Sequence, residues 1–149
     1  MTMRRPEDWP AEYKAVILDN QRERFAKLDE RKAPSWRSKR PGMSAAHLVN
    51  IRGLECTLCH ERRGIQCRHL KSDGAKRERG VFLRATDRWA LPMCALEHHP
   101  AVERIGSRRE REWFAAFGID PHALAQGLWN ARHDPIKMEF VLREHKKQA

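Results

Sequence analysis

Apolar residues along the chain recur at helical spacing in some segments and have no pattern in others. Residues 11–31 carry Tyr13, Val16, Ile17, Phe25 and Leu28 on a charged background, a thin stripe that predicts a helix. The stretch "KAPSWRSKRPG" (32–42) combines prolines and a glycine with Lys and Arg, and reads as a basic linker or an arm that grips a phosphate backbone. "SAAHLVNIRGL" (44–54) predicts a short helix with Ser44 as N-cap and Gly53 near its end. "KSDGAKRERG" (71–80) is too polar to support a core, whereas "WALPMC" (89–94) is strand-like and is expected to stop at Pro92. Three further helices are predicted. One covers roughly 100–117 and ends at Gly118; the second starts at Asp120-Pro121 with Leu124, Leu128 and Trp129 inward; the third starts at Asp134-Pro135 with Met138, Val141 and Leu142 on one face. The expected division is a basic helical arm and linker over 1–42, a central domain over 43–133, and a C-terminal helix over 134–149.

The charge changes this picture from a plain α+β domain to one with a partner. Thirty Lys and Arg against twenty Asp and Glu give a net charge of +10, with a pI near 10.0 and a mean hydropathy of -0.80. Such a surface favours a polyanion, because basic side chains displace the counterions condensed on phosphates. The first residues, "MTMRRPEDWPAEYK", lack the apolar core of a secretory signal, and no apolar run approaches the ~18 residues that span a bilayer. The expectation is therefore no membrane and a cytoplasmic setting, where four cysteines favour metal binding over disulfides.

The chemistry is concentrated in "GLECTLCHERRGIQCRHLKS" (53–72) and "CALEHH" (94–99). Cys56-x-x-Cys59 places two thiolates on one turn, as a zinc knuckle requires, and no βαβ pattern supports a redox role for the pair. Cys94 with His98, or alternatively His99, completes a Cys3His site. Cys67 is left over, either a small buried strand residue or a ligand displacing Cys94 or His98. A second set comprises His69, Asp87, His99 and Glu103. Of these, His99 and Glu103 are four apart, so a helix puts them near one face, as ligands for a hard cation or as plain exposed residues.

In this order, "HLVNIRGLECTLC", "CRHL", "DRWALPMC", "HHPAVE" and "FAAFGIDPHALAQGLW" resemble the HNH (ββα-metal) endonucleases, particularly small phage and prophage members of the recombination-nuclease type, over roughly 46–129. The resemblance implies a zinc-stabilised, treble-clef-like ββα-metal core with helical additions at both ends. It also implies His69 as general base at the end of the first strand, with a catalytic Mg2+ or Mn2+ held by His99 and Glu103. Two residues depart from the pattern. Arg68 stands where many members have an Asp or His ligand, and Glu103 where His or Asn is usual; Asp87 is the candidate for the missing carboxylate.

The expected function is thus a metal-dependent DNA endonuclease of low sequence specificity, encoded by a phage or prophage and acting on DNA, branched or single-stranded forms included. Its backbone contacts are expected from Arg37, Lys39, Arg40, Arg68, Lys71, Lys76, Arg77 and Arg79. The alternative is a non-catalytic zinc module that binds DNA or RNA.

Overall fold

The computed structural model describes residues 5–29, 41–72 and 85–148, without the side chains of 27–29. The elements are α1 (Ala11–Asp29), α2 (Ala45–Gly53), β1 (Ile65–His69), β2 (Ala90–Cys94), α3 (His98–Ile105), α4 (Glu110–Ala115), α5 (Pro121–Asn130) and α6 (Pro135–Lys147). The fold is a mixed α+β arrangement in which a single antiparallel hairpin is surrounded by helices. Among the described residues no helix is long and apolar enough to cross a membrane.

The hairpin pairs Ile65 with Cys94 and His69 with Ala90. All five residues of β2 are buried, and the strand continues through Pro92 rather than stopping there. A two-stranded sheet has only edges, so the missing Pro92 N–H breaks no ladder. Its carbonyl instead accepts from Thr57 N at 2.9 Å and Thr57 Oγ1 at 2.8 Å, which fastens the cysteine knuckle to β2. The turn before β1 needs Gly64, whose φ of 62° is accessible to glycine at little steric cost.

Side-chain caps start three of the helices. Ser44 Oγ accepts from His47 N, Asp120 from His122 N and Ala123 N, and Asp134 from Ile136 N and Lys137 N. Ile51, Leu54, Leu70, Leu91, Met93, Val102, Phe114, Leu124, Leu128, Met138 and Leu142 then close one core between hairpin and helices. The C-terminal helix is part of that core through Met138 and Leu142.

Three expectations change in detail. The helix anticipated over 100–117 is two helices, broken at Gly106 (φ 77°), which turns the chain so that Glu110 faces inward. On α1 the inward stripe is Tyr13, Ile17, Gln21, Arg24 and Phe25, because the 3.6-residue period carries Val16 round to the solvent side, where it is 57% exposed; Leu28 lies outside the described side chains. Trp129 is only half-buried, with its ring between His47 and the Arg132 guanidinium.

α1 docks rather than floating as an arm. Trp9 is buried against Tyr13 and Phe140, and Tyr13 Oη donates to Glu139 Oε1 at 3.0 Å. Burial, reinforced by the Glu139 carboxylate, pushes the Tyr13 phenol up to about 12, so it stays a donor.

Candidate metal centre and active site

Cys56 and Cys59 lie on the turn before β1, Cys94 ends β2, and His98 opens α3. Their ligand atoms, three Sγ and the His98 imidazole, all lie within 4.8 Å of one another. The His98 Nδ1 is 3.2 Å from Cys94 Sγ and 3.6 Å from Cys56 Sγ, and Cys59 Sγ is 4.0 Å from Cys94 Sγ. A tetrahedron with Zn–S of ~2.3 Å and Zn–N of ~2.05 Å has edges of about 3.8 Å between sulfurs and about 3.6 Å from sulfur to nitrogen. The residues therefore fit a tetrahedral metal such as zinc, with His98 and not His99 as fourth ligand.

Burial works to raise Cys94, but hydrogen bonds from the His98 and Glu97 amides, with those from Cys56 and Cys59, bring it below the ordinary thiol value. Burial pushes Cys59 up to about 12, ahead of the effect of Cys56 and Cys94, so this thiol needs a cation beside it to ionise. Lys146 on α6 donates to Glu55 Oε1 at 2.8 Å, to the Cys56 carbonyl at 3.0 Å and to the Cys59 carbonyl at 2.7 Å. The knuckle is thus pinned from the far end of the chain. Cys67 stands apart: its Sγ contacts the Leu48 carbonyl at 3.5 Å, and burial pushes the thiol up to about 11.

At the other end of the hairpin, His69 Nε2 lies 2.9 Å from Asp87 Oδ1. Asp87 is buried in a 3₁₀ turn just before β2, and its Oδ2 accepts from Ser44 N at 2.9 Å. A carboxylate only accepts, so this contact makes Nε2 the protonated nitrogen. The lone pair is left on Nδ1, which makes no hydrogen bond among the described residues and is not enclosed. Beneath this pair His47 is fully buried, edge-on to Trp129 at 5.1 Å, with neither ring nitrogen hydrogen-bonded.

His99 and Glu103 lie on the side of β1 that carries Arg68. Arg68 is 2% exposed; it ion-pairs with Glu103 and, at 2.8 Å, with Glu110. Lys71 Nζ holds the other Glu103 oxygen at 2.6 Å. Burial and then the Arg68 and Lys71 charges keep the His99 imidazole below its usual pKa. The resemblance implied a divalent ion at His99, Glu103 and Asp87, and these residues do not fit one. Asp87 is committed to His69 and Ser44, and Glu103 to two cations. Among the described residues Cys56, Cys59, Cys94 and His98 are the only group of three or more such donors brought within reach of one ion.

Arg68 is also corrected as a nucleic-acid contact, since its guanidinium is enclosed by two carboxylates. Arg37, Lys39, Arg40, Lys76, Arg77 and Arg79 lie outside the described residues; Lys71 remains a partly exposed cation at the end of β1.

Four residues escaped the sequence reading: His47, Glu110, Ser72 and Lys146. Only Lys146 carried a usable signal, because it continues the i, i+4 row of Met138 and Leu142 on the buried face of α6. Compared with family models, curated proteins and solved structures, the chain finds no match.

Proposed function

We propose that this domain is an HNH-type DNA endonuclease that hydrolyses phosphodiester bonds with little sequence preference, His69 acting as general base. The observation that supports it is the His69–Asp87 pair: an imidazole with one nitrogen fixed by a carboxylate and the other open, at the end of a hairpin whose opposite end is held by a Cys3His group. Zinc is the ion proposed for that group, where it contributes folding free energy on the order of 10 kcal/mol and holds the hairpin and α3 together. In the proposed step His69 Nδ1 takes a proton from water as the water oxygen bonds to phosphorus. The P–O3′ bond breaks, leaving a 5′ phosphate and a 3′ hydroxyl after protonation from solvent. The net charge of +10 suits the substrate.

A second reading, a non-catalytic zinc module for DNA or RNA, is favoured by one observation: Arg68 and Lys71 occupy Glu103, and no second ligand set stands among the described residues. Nicking of supercoiled plasmid by zinc-loaded protein, with and without Mg2+ or Mn2+, separates the two. Open circles appearing with time support the endonuclease. Intact plasmid under every condition, with binding retained, leaves the module.

A further inference from the structure

A cleft of about 430 Å³ opens where the chain leaves β1, lined chiefly by Lys71, Ser72, Ser107, Arg108, Arg111 and Glu112. We infer that this cleft is a subsite for a backbone phosphate of the bound DNA strand. The inference rests on the nucleic-acid part of the function proposed above, and not on cleavage.

The lining is built from two distant stretches of chain, one carrying a lysine and a serine, the other two arginines and a serine. Lys71 and Ser72 come from the exit of β1; Ser107, Arg108 and Arg111 come from the turn and first residues of α4. Arg108, Arg111 and Glu112 line one wall while Lys71 on the other is paired with Glu103 at 2.6 Å, and the volume suits a nucleotide-sized group more than a bare ion. The Arg108 and Arg111 side chains with the Ser107 hydroxyl are the charged fork and short donor that a phosphate takes, while the Ser72 hydroxyl is spent on Glu110.

The two walls are locked at fixed separation. Glu110, 0% exposed, accepts from Lys71 N at 2.8 Å, Ser72 N at 2.9 Å and Ser72 Oγ at 2.8 Å through Oε2, while its Oε1 takes the Arg68 guanidinium at 2.8 Å. Behind Ser72 its carbonyl meets His122 Nε2 at 3.0 Å, tying the same wall to α5. A buried carboxylate that accepts four such bonds is costly to move, so the rim is held in place for its ligand. Lys71 belongs both to this rim and to the segment just past His69.

The test is fluorescence anisotropy of labelled single-stranded and duplex DNA against salt, on zinc-loaded full-length variants. Arg108→Ala with Arg111→Ala is compared with Arg22→Ala plus Arg63→Ala, which removes the same charge from two exposed positions on α1 and the knuckle turn. The cleft pair should weaken binding roughly tenfold or more at low salt and flatten the log–log salt slope by about one phosphate contact or more, ~0.7 for single strands and ~0.9 for duplex. The control pair should change affinity less than threefold, and Glu112→Gln should tighten binding. Equal losses for cleft and control pairs overturn the subsite, as does wild-type protein that binds no DNA at low salt. Wild type that binds with the predicted difference but never nicks plasmid sinks the endonuclease reading and leaves the subsite standing.

Discussion

Replacing His47 with leucine should make the fold markedly less sensitive to acid. The imidazole is fully buried in the first turns of α2, and neither Nδ1 nor Nε2 has a hydrogen-bond partner. Burial lowers its pKa from 6.5 to about 4; Asp87 opposes this, while Arg132, His69 and His133 add to it. The sign follows from linkage. Between those two values the unfolded chain binds a proton that the folded chain refuses, so stability falls as pH drops from neutrality. At ~1.36 kcal/mol per pH unit the full effect is about 3 kcal/mol, of which about 2 kcal/mol is lost between pH 7 and pH 5. Leucine is close in volume and removes both unpaired nitrogens, so at pH 7 the change should stay within about 1.5 kcal/mol. Urea unfolding of both proteins at the two pH values, at fixed zinc, gives the comparison. Taking the difference between them cancels the titration of the thiols and of His99 and His145, which the two share. The variant should gain about 2 kcal/mol on wild type between pH 7 and pH 5. A gap that moves by less than about 0.5 kcal/mol refutes the reasoning, since His47 would then be protonated at its ordinary pKa inside the fold.

Metal analysis should find one zinc per chain, retained in Cys67→Ser and lost with much of the fold in Cys56→Ser; zinc loss from the Cys67 variant would mean the ligands are misassigned. Lys146→Met should weaken zinc binding about 10–100-fold in a chelator competition, as loss of an outer-shell partner does, while Lys147→Met should not. Equal behaviour of the two lysines would show that the contacts with the Cys56 and Cys59 carbonyls carry no weight. Titration of zinc-loaded protein with Mn2+, followed by electron paramagnetic resonance, should show no tight second site, because Arg68 and Lys71 hold Glu103. A tight site abolished by His99→Ala would contradict that account.

The parts of this molecule legible in the sequence are those with a short-range signature. Ser44, Asp120 and Asp134 cap helices where a polar residue precedes an apolar run, and Cys56-x-x-Cys59 announces its own geometry. Cys94 and His98 also join the cluster as their spacing suggested, because a strand end and a helix start four residues apart bring Sγ and Nδ1 together. The polar interior was not legible. Arg68, Glu103 and Glu110 look like surface charges one at a time, and only the break at Gly106 brings Glu110 round to bury against Arg68 and the chain leaving β1. The same holds at the ends of the chain. The charge-rich ends, 1–42 and 134–149, read as additions to the central domain, yet Tyr13 meets Glu139 and Lys146 reaches the knuckle carbonyls; periodicity puts Lys146 on the buried face of α6 but does not say what it meets more than eighty residues away.

The central claim is that His69, oriented by Asp87, removes the proton from the attacking water. It is tested most directly by time courses of supercoiled-plasmid nicking by wild type and His69→Ala, both zinc-loaded and matched for DNA affinity, with and without Mg2+ or Mn2+. The predicted result is nicking by wild type and a loss of about two to four orders of magnitude in the variant, not restored by added divalent ion. Equal nicking by the two proteins, or none by wild type on any form of DNA, would contradict it.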